Sequence, residues 1–490
     1  MSTYDDIVQL ALERGFYFPS CELYSDSSAG FWEYGPNGVK IKNNFLELWR
    51  RELVRRDAML EIDGTQIMSR SVFQASGHLK NFSDPVVKCT KCKSSFRADK
   101  LIQDEANIEV PERLQNDKVD LLIKENNIRC PSCKGELSTS ERFNMMFKVE
   151  IGPNHEEAYL RPETCQSIFV DFQRIFKVSR RKLPLGIAQI GKSFRNEISP
   201  RQGLLRLREF YQAEIEIFCN PEKLDDVQKF ESVRNTVLRI YDNQQTMEVT
   251  AAEALERKII PNKLVAYYLA LLVEFFNKTG IVNKRTRLRR LSDDEKAFYS
   301  SIAFDFEVDT SSGWLELVAC NYRSDYDLLS HSATSKANLQ VMDDEVKVLP
   351  HVFELSLGVD RCIYSILEHS YFIDREKDDR ILLKLKPYLS PIHAGVLPLL
   401  KKDEFKAKSY NLMSLLNRDF DVFYDESGSI GRRYRRLEEI GTPFAFTIDH
   451  QTIDDDTVTI RYRDSMSQER IKINDVHSFL TESLSVERES

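Results

Sequence analysis

A dense group of arginines and glutamates lies between Ser193 and Phe210, where the sequence reads SFRNEISPRQGLLRLREF. Its charged residues are Arg195, Glu197, Arg201, Arg206, Arg208 and Glu209. A guanidinium donates hydrogen bonds in a planar fork that fits phosphate or carboxylate oxygens. Strand alternation would place Arg195 and Glu197 on one face, with Phe210 able to cover a base. The segment is therefore either a nucleotide-binding loop or an ion-paired hairpin on a solvated face.

A second candidate for phosphate binding is SLGVDR, from Ser356 to Arg361, which leads from a strand pattern into a helix pattern. Gly358 stands at the bend, and Arg361 stands in the first helical turn. The start of a helix offers free backbone N–H groups, to which Arg361 adds a cation. Taken alone, the segment is more typical of a tight turn that carries a surface arginine.

Four of the nine cysteines form two Cys-x-x-Cys pairs, Cys89 with Cys92 and Cys130 with Cys133. Together they could supply the four thiolates of a tetrahedral structural zinc site. The alternative is a set of reduced cysteines that hold no metal. The others have no base beside them in sequence and are expected to be buried small residues, namely Cys21, Cys165, Cys219, Cys320 and Cys362.

The composition indicates a multidomain protein of a reducing compartment. A chain of 490 residues with 42% hydrophobic residues is long enough for two to four domains. Paired cysteines in an odd total suit metal binding better than disulfides, and Met1 to Leu12 lacks the pattern of a secretory signal. We therefore expect a cytoplasmic location. The apolar stretch from Leu264 to Phe276 is shorter than the ~20 residues of a membrane span and is expected to be a buried helix.

The formal net charge of −8 argues against general attraction to nucleic acid, so an RNA partner would need local basic patches. One basic run consists of Lys278, Lys284, Arg285, Arg287, Arg289 and Arg290, and a second consists of Arg432, Arg433, Arg435 and Arg436. Such runs are usually solvated faces, but they also suit contacts with RNA phosphates.

The elements that must position these residues can be read from the hydrophobic pattern. Gly35, Pro36 and Gly38 form a turn, after which apolar residues recur at helical spacing from Val39 to Arg56. That helix, taken alone, indicates core packing. Between Arg142 and Cys219 the pattern is that of consecutive strands with turns between them, which predicts an antiparallel sheet.

The remaining segments divide the chain further. Residues 221–300 are predicted to be mainly helical, and after Asp379 strands alternate with helices, which is typical of a small α/β domain. The predicted domains are a catalytic domain at 1–85, 141–220 and 301–379, a zinc-ribbon-like insertion at 86–140, a mainly helical insertion at 221–300, and an α/β domain at 380–490.

The Gly-Pro turn with its long helix, the arginine-rich segment and the SLGVDR segment resemble, in this order along the chain, the three signature motifs of class II aminoacyl-tRNA synthetases. The finer similarity is to the glycyl-tRNA synthetases of the homodimeric type found in archaea and eukaryotes. It rests on RGFYFPSCELY, FWEYGPNGVKIKNNFLELW, AYLRPETCQSIFVDF, LPLGIAQIGKSFRNEISPRQGLLRLREF, HVFELSLGVDR and GSIGRRYRRLEEIGTPF. The chain departs from the common pattern at FELSLG, where many members have Glu-Pro-Ser, and at VACNYR, where many have Gly-Ile-Ala-Asn-Arg.

This resemblance implies an α+β fold, a class II antiparallel sheet flanked by helices, with a C-terminal anticodon-binding domain. It also implies a glycine–tRNA ligase that first makes glycyl-adenylate from glycine and ATP. The implied partners are ATP with Mg²⁺, glycine, tRNA(Gly) and a second copy of the chain in a homodimer. The C-terminal domain would meet the anticodon, and the 221–300 insertion could approach the acceptor arm. No membrane partner is implied.

Site residues are implied in the same way. ATP would be bound by Arg195, Asn196, Glu197, Leu205, Arg206, Leu207, Arg208, Glu209, Phe210, Glu316, Leu317, Gly358 and Arg361, of which Arg195 and Arg361 are catalytic. In this arrangement Arg195 holds the α-phosphate and the glycine carboxylate, while Glu197 accepts from the adenine amino group. Phe210 and Arg361 would cover the two faces of adenine, and Arg206 would meet the outer phosphates. Glu316 and Glu354 would hold Mg²⁺, which prefers a few carboxylates together with phosphate oxygens.

Glycine would be bound by Arg97, Glu163, Phe210, Tyr211, Gln212, Ala213, Glu214, Arg323, Glu354, Ser356 and Gly358. The carboxylates would hold the ammonium group, and their crowding would leave no room for a methyl group. Because steric exclusion from a full pocket is severe, no editing domain is expected. Without the resemblance, Glu163 would be read as part of a surface turn after Pro162.

Two other functions fit parts of the pattern. One is a synthetase for another small amino acid such as serine, alanine or proline. The other is a catalytically silent synthetase-like module that only binds nucleic acid, which would be expected to have lost the ATP-binding residues. Because Arg195, Glu197, Glu316 and Arg361 are all present, the sequence favours the active enzyme.

Overall fold

The computed structural model describes residues 4–108, 110, 114–200, 202–293, 295–297 and 299–486, and Arg201 of the arginine-rich segment lies outside them. The N-terminal elements are α1 (Tyr4–Glu13), β1 (Tyr17–Pro19), β2 (Trp32–Tyr34), α2 (Pro36–Trp49), β3 (Leu60–Ile62), β4 (Ile67–Ser69), α3 (Arg70–Ala75) and α4 (His78–Asn81), with a π-helical segment at Arg50–Arg55. They are followed by β5 (Ser83–Lys88), β6 (Ser95–Arg97), α5 (Ala98–Ala106), α6 (Asn116–Glu125) and β7 (Glu141–Asn144).

The central elements are β8 (Lys148–Ile151), β9 (Glu156–Leu160), α7 (Cys165–Ser179), β10 (Leu185–Phe194), β11 (Glu209–Cys219), β12 (Val237–Asp242), β13 (Gln245–Thr250), α8 (Ala251–Glu256), α9 (Lys263–Lys278) and β14 (Thr286–Arg290). They continue with β15 (Ile302–Thr310), β16 (Gly313–Ser324), α10 (Tyr326–Ser335), β17 (Val341–Asp343), β18 (Val346–Val348), β19 (His351–Gly358), α11 (Val359–Ser370), β20 (Tyr371–Asp374) and β21 (Arg380–Leu383).

The C-terminal elements are β22 (Ala394–Pro398), α12 (Asp403–Leu416), β23 (Val422–Tyr424), α13 (Ile430–Ile440), β24 (Phe444–Ile448), α14 (His450–Asp455), β25 (Thr457–Tyr462), β26 (Gln468–Lys472) and α15 (Val476–Ser483). Short 3₁₀ turns lie at Gly203–Leu205, Pro221–Lys223, Gln228–Ser232, Asn283–Arg285, Pro387–Leu389 and Ile473–Asp475.

The main body is built on a nine-stranded sheet with the order β13-β12-β14-β15-β16-β19-β11-β10-β3. Its central strands are antiparallel, and only the pairs β3–β10 and β12–β14 are parallel. Alternate residues of β11 face in opposite directions, with Ala213, Ile215 and Ile217 in the main hydrophobic core. The predicted α+β fold with a largely antiparallel sheet is confirmed.

Helix α2 is the long helix that resembles the first class II motif. It begins at Pro36 directly after Gly35 and continues into the π-helical segment. Pro36 suits this position because the first helical residue needs no N–H donor. The helix buries Ile41, Phe45 and Trp49 in the main core, as its periodicity predicts. Val39, also counted in the apolar pattern, is 41% exposed.

The segment 221–300 differs from the prediction of a mainly helical insertion. It has one long helix, α9, which is buried along the predicted stretch, and the short helix α8. However, β12, β13 and β14 extend the main sheet, and Leu238, Ile240 and Leu288 lie in the main core. The segment therefore continues the central body, because the strands bury their apolar alternate residues under α9.

The residues after the main body form a five-stranded sheet of order β23-β22-β24-β25-β26 with its own core. The element order from β22 to β24 is the strand and helix alternation that the sequence predicts. The segment that contains the cysteine pairs also has a small core, around Val87, Leu101 and Val119. No helix in the described part of the chain is long and apolar enough to cross a membrane.

Candidate active site

A cavity of about 430 Å³ lies over the middle of the nine-stranded sheet. Residues of the arginine-rich segment form one wall, and β16 and β19 form the floor together with the start of α11. Of the residues implied for ATP and glycine, those that line it are Glu163, Arg195, Glu197, Leu205, Arg206, Leu207, Phe210, Tyr211, Gln212, Glu316, Leu317, Glu354, Ser356, Gly358 and Arg361. Residues that are 166 positions apart in sequence, such as Arg195 and Arg361, thus meet in one cleft.

Arg195 is held at the end of β10 by one bond, in which its Nε donates to the Pro162 carbonyl at 3.1 Å. Its guanidinium carbon is 5.2 Å from the ring centroid of Phe210 and 5.5 Å from that of Phe82. Arg195 and Glu197 lie just beyond the strand, yet both face the cavity. Because no described residue accepts from the two Nη atoms, they remain available for an anion.

Glu197 is joined to Arg206, whose Nε and Nη2 donate to Glu197 Oε2 at 2.8 and 2.6 Å. No described residue donates to Glu197 Oε1. One oxygen of this carboxylate can therefore accept from an exocyclic amine while the other fixes Arg206.

Arg361 lies in the first turn of α11, where its Nε donates to the Leu205 carbonyl at 3.3 Å and its Nη1 to the Glu316 carbonyl at 3.1 Å. The same Nη1 is 3.4 Å from the Glu316 carboxylate. These bonds tie the loop before β11 to β16 across the cleft. They fix the guanidinium in the same cleft as Phe210.

The floor of the cleft contains a buried ion network. Arg323, 1% exposed, donates from Nη1 to Glu354 Oε1 at 2.8 Å and from Nε and Nη2 to the two oxygens of Asp327. Asn321 donates to Glu354 Oε2 at 2.7 Å. The ring of Tyr299 stacks on Arg323, with 3.7 Å between the guanidinium carbon and the ring centroid. Burial nevertheless raises the pKa of Glu354 to about 8.

Two further carboxyl groups flank Glu354. Glu163 lies 3.5 Å from His78 Nε2 and accepts from Gln166 at 2.8 Å. Burial alone would raise the pKa of Glu163, but His78 and Arg323 hold it well below its ordinary value. Glu214 accepts from Thr164 and from Ser356, each at 2.5 Å, and burial raises its pKa.

Sequence reasoning did not single out several members of this network. Glu216 is fully buried beside Glu354 in the strand register, and neither of its carboxyl oxygens has a hydrogen-bond partner in the described structure. Burial, then the charge of Glu354, raises its pKa well above the ordinary value. The alternation of Gln212, Glu214 and Glu216 along a strand could have indicated it. His78, Tyr299 and the remaining partners left no comparable signal because they come from distant segments.

Asp360, the neighbour of Arg361, is also buried and accepts from Tyr34 and from the Tyr211 backbone N–H, both at 2.6 Å. Burial raises its pKa to about 6 although both bonds favour the carboxylate. The contact joins α11 to the segment before α2.

Seven of the implied residues do not line the cleft: Glu214 and Arg323 belong to the buried network beneath it, Arg97 lines a second cleft, and four others surround it. Asn196 and Arg208 line a neighbouring groove, where Arg208 donates to the carbonyls of Glu197 and Ala29. Glu209 is ion-paired with Lys192. Ala213 is buried in the main core on the opposite side of the sheet, because strand alternation turns it away from Gln212 and Glu214. These side chains support the cleft rather than line it.

Arg97 lies in a second cleft of about 970 Å³, which shares Glu163, Arg195, Glu316 and Arg361 with the first. Its guanidinium pairs with Asp84 and Asp99. The structure therefore brings Arg97 to the edge of the site but not into the floor that holds Glu354.

Glu316 and Glu354 differ in their fitness as magnesium ligands. The Glu316 side chain is 44% exposed and faces both clefts, which suits a cation that also needs phosphate oxygens and water. Glu354 is 2% exposed, and both of its oxygens already accept from Arg323 and Asn321. The geometry therefore favours Glu316 as the magnesium ligand, and the magnesium role of Glu354 stays a prediction.

The four paired cysteines form a compact cluster between β5 and β7. Sγ of Cys89 is 3.5 Å from Sγ of Cys133, Sγ of Cys92 is 3.6 Å from Sγ of Cys130, and all four sulfur atoms lie within 4.8 Å of one another. Thiolates at about 2.3 Å from a tetrahedral zinc ion lie about 3.8 Å apart, so the donor set fits zinc. All nine cysteines are free, and Cys21 is exposed rather than buried as expected.

Most of the two basic runs are engaged in ion pairs. In the first run, Lys278 pairs with Glu52, Arg285 with Asp309, Arg287 with Glu307, Arg289 with Glu295 and Arg290 with Asp242. In the second run, Arg433 is buried on the carbonyls of Pro398 and Gly428, while Arg435 pairs with Asp378 and Arg436 with Asp425. The side chains of Lys284 and Arg432 are exposed and pair with no described residue.

Comparisons with known proteins identify the family of the chain. The family described as the tRNA synthetase class II core domain (G, H, P, S and T) matches residues 147–370, and the family described as the anticodon binding domain matches residues 393–483. The glycine–tRNA ligase of Methanothrix thermoacetophila is 39% identical, with 96% of this chain and 95% of that protein aligned.

Two other archaeal proteins give the same result. The glycine–tRNA ligase of Methanocaldococcus jannaschii is 37% identical, with 98% of this chain and 99% of that protein aligned. The glycine–tRNA ligase of Pyrococcus abyssi is 39% identical, with 98% of each chain aligned. These alignments span 576 and 565 positions, more than the 490 residues of this chain, so the relatives contain segments that it lacks.

Proposed function

The chain belongs to the glycine–tRNA ligases with a class II synthetase core, and from that premise we propose that its cleft holds ATP and glycine end to end. Its activity is the ligation of glycine to tRNA. The observation that carries the assignment of the site is that Arg195, Glu163 and Glu354 line one cavity, where Glu354 pairs with the buried Arg323.

At the ATP end, adenine lies between Phe210 and Arg361, and its amino group donates to the free Oε1 of Glu197. Two contacts support this position: Arg361 is fixed by the carbonyls of Leu205 and Glu316, and Glu197 keeps one oxygen unpaired. Arg206 reaches the outer phosphates from its ion pair with Glu197. Mg²⁺ would be held by Glu316 together with phosphate oxygens, where it would neutralise charge on the triphosphate.

The first reaction joins the glycine carboxylate to the α-phosphorus. A carboxylate oxygen attacks, the new O–P bond forms as the bond to the β-phosphate oxygen breaks, and pyrophosphate leaves. Arg195 stabilises the charge that develops on the α-phosphate, so the step needs positioning rather than a protein nucleophile. In the second reaction the terminal ribose hydroxyl of tRNA attacks the adenylate carbonyl, and AMP leaves.

At the glycine end, the ammonium group is held by Glu163 and Glu354, with Glu214 fixed behind them by Ser356 and Thr164. Gln212 donates to Ser356 at 3.2 Å, and Asn321 donates to Glu354, so neighbouring side chains of the floor are hydrogen-bonded to one another. A methyl group on the substrate would displace one of these bonded side chains. Exclusion of larger amino acids therefore results from a filled, hydrogen-bonded pocket.

The other parts of the proposal concern partners. The 393–483 domain binds the anticodon, the four cysteines hold a structural zinc ion, and two copies of the chain form the dimer that the first motif implies. The location is the cytosol. The catalytic domain comprises 1–85, 141–220 and 301–379, to which the sheet adds the strands of 221–300.

The decisive experiment is amino-acid-dependent exchange of pyrophosphate into ATP, measured with a panel that includes glycine, alanine, serine and proline. Glycine should support exchange, and the others should not. Arg195→Ala should abolish exchange while leaving the affinity for tRNA nearly intact. Equal stimulation by alanine or serine would remove the glycine assignment, and near-normal exchange by Arg195→Ala would refute the phosphate role.

A further inference from the structure

A three-layer stack of side chains stands beside the second cleft and has no part in the reactions described above. The guanidinium carbon of Arg287 is 4.1 Å from the ring centroid of Tyr241 on one side and 4.1 Å from that of Trp314 on the other. Arg287 is fixed in this position by Glu307, 2.5 Å from its Nε, and the side chains of both are less than 15% exposed. Three strands of the sheet, β12, β14 and β16, each contribute one layer.

The stack ends in an exposed aromatic ring. Trp314 is 39% exposed, stands at the start of β16, and lines the second cleft. A cation–π contact on one face of an indole fixes the position of the ring, and the other face can then stack on another flat ring.

The position of Trp314 relates the platform to the reaction. Trp314 and Glu316 are two residues apart on one strand, a separation of about 7 Å, and Glu316 contacts Arg361 in the ATP cleft. A ring stacked on Trp314 would therefore lie about one nucleotide length from the bound adenylate.

The charge of the second cleft indicates which kind of ligand would supply a ring that stacks on Trp314. Lysine and arginine contribute seven of its lining residues, whereas aspartate and glutamate contribute four, in a chain whose net charge is −8. Lys80, which lines the same cleft, is exposed and makes no ion pair with a described residue. A basic groove with an aromatic platform is the arrangement that binds single-stranded nucleic acid, because phosphates follow the cations and bases stack on the ring.

We propose that Trp314, backed by Arg287 and Tyr241, stacks on a nucleobase of the 3′-terminal single strand of tRNA and so delivers the terminal ribose to the adenylate. This inference rests on the proposed function and specifies how the second substrate enters the site. The segment 221–300 thereby acquires a role through β12 and β14, which provide the backing of the ring.

The test separates the two half-reactions. Trp314→Ala should lower kcat/KM for tRNA in aminoacylation about tenfold or more, since one base stacked on an aromatic ring contributes an effect of that size. Pyrophosphate exchange, which needs no tRNA, should stay within about twofold of the unchanged protein and also shows that the variant is folded. Trp314→Phe, which keeps a smaller platform, should recover most of the loss.

Phe372 provides a matched control, because it is 40% exposed, has Lys384 Nζ 3.5 Å from its ring centroid, and stands on another hairpin. Phe372→Ala should leave both half-reactions unchanged. An equal loss with Phe372→Ala would show that any exposed cation-backed ring gives the effect, and it would overturn the proposal.

A binding experiment locates the contact on the RNA. Removal of the last three nucleotides of tRNA(Gly) should weaken its binding to the unchanged protein. The same removal should weaken binding to Trp314→Ala only slightly, because the two changes remove the same contact. Additive losses would overturn the proposal, as would a fall in exchange that matches the fall in aminoacylation. If the unchanged protein itself fails to support glycine-dependent exchange, the proposed function fails instead.

Discussion

Arg323 lies among more buried carboxyl groups than one guanidinium can neutralise. It pairs with Asp327 and Glu354, while Glu214 and Glu216 are fully buried nearby. Burial raises the pKa of Glu354 to about 8 and also raises the pKa values of Glu214 and Glu216. Without substrate the floor therefore keeps protons at neutral pH. An ammonium group supplies the missing cation and favours the ionised form.

The first prediction is a pH dependence of glycine use. Because Glu354 is largely neutral below its raised pKa, the KM for glycine in pyrophosphate exchange should fall severalfold as pH rises from about 6.5 to about 8.5. The KM for ATP, measured in parallel, should change less. Glu354→Gln, which removes the carboxylate, should raise the KM for glycine and remove most of its pH dependence. A glycine KM that is constant over this range would show that Glu354 is already ionised.

Sequence alone identified most residues of this floor but not their arrangement. The alternation along β11 predicts that Gln212 and Glu214 share a face, and Glu354 and Ser356 follow the same rule on β19. Sequence could not show that Asn321 and Arg323 saturate the oxygens of Glu354, because that depends on the pairing of β16 with β19. Glu354 is therefore less accessible to magnesium than its sequence context indicates, since burial is a property of the assembled sheet.

At the scale of elements, the approach of α2 to the segment before it depends on a glycine. A Cβ atom on Gly38 would lie 1.7 Å from the Phe16 carbonyl oxygen and 2.9 Å from the Tyr34 ring. Tyr34 in turn donates to Asp360, next to Arg361. The close packing of α2 is therefore connected to the position of the ATP cleft.

The second prediction concerns this contact. Gly38→Ala should lower the free energy of unfolding by about 2 kcal/mol or more, because the backbone oxygen of Phe16 cannot move without shifting β1. Gly431→Ala is the matched control: it also lies in a helix, α13, and its added Cβ would meet nothing within 4 Å. That change should raise the free energy of unfolding by up to about 1 kcal/mol. Thermal unfolding followed by circular dichroism compares the two, and equal melting temperatures would contradict the clash.

The third prediction concerns the cysteine cluster. The segment between β5 and β7 has a small core and two helices of nine and ten residues, so a structural metal would contribute much of its stability. Native mass spectrometry of freshly purified protein should find one zinc ion per chain. Cys92→Ser should lose the metal and become sensitive to protease between residues 89 and 133, whereas Cys219→Ser should keep it. Metal-free protein with an intact, protease-resistant segment would exclude the zinc site.

The sheet edge shows why elements are harder to predict than motifs. The apolar stretch of α9 has a clear helical signal, but β12 is only six residues long and β14 has three arginines among five residues, so neither strand stands out in the sequence. Arg287 and Arg289 appear in the sequence as part of a basic run. In the structure they face Glu307 and Asp305 of β15 and form ion pairs with them, so these two arginines of the run join neighbouring strands.

At the scale of the whole molecule, an acidic protein must bind an acidic RNA. The chain has a net charge of −8, and most of the arginines in its basic runs already pair with carboxylates or backbone carbonyls. The cationic surface left for tRNA is therefore smaller than the sequence indicates. In the described part of the 393–483 domain, Arg432 is an exposed member of the run without an ion pair.

The fourth prediction uses two neighbouring arginines to separate RNA binding from folding. Arg432→Glu should raise the KM for tRNA severalfold and reduce the salt dependence of tRNA binding by about one unit of slope, because one phosphate contact is lost. Exchange and melting temperature should not change, because the exposed side chain makes no hydrogen bond or ion pair with a described residue. Arg433→Gln should instead lower the melting temperature, since Arg433 is 3% exposed and donates to Pro398 and Gly428 carbonyls. If Arg432→Glu binds tRNA normally at low and high salt, the anticodon is held elsewhere on the domain.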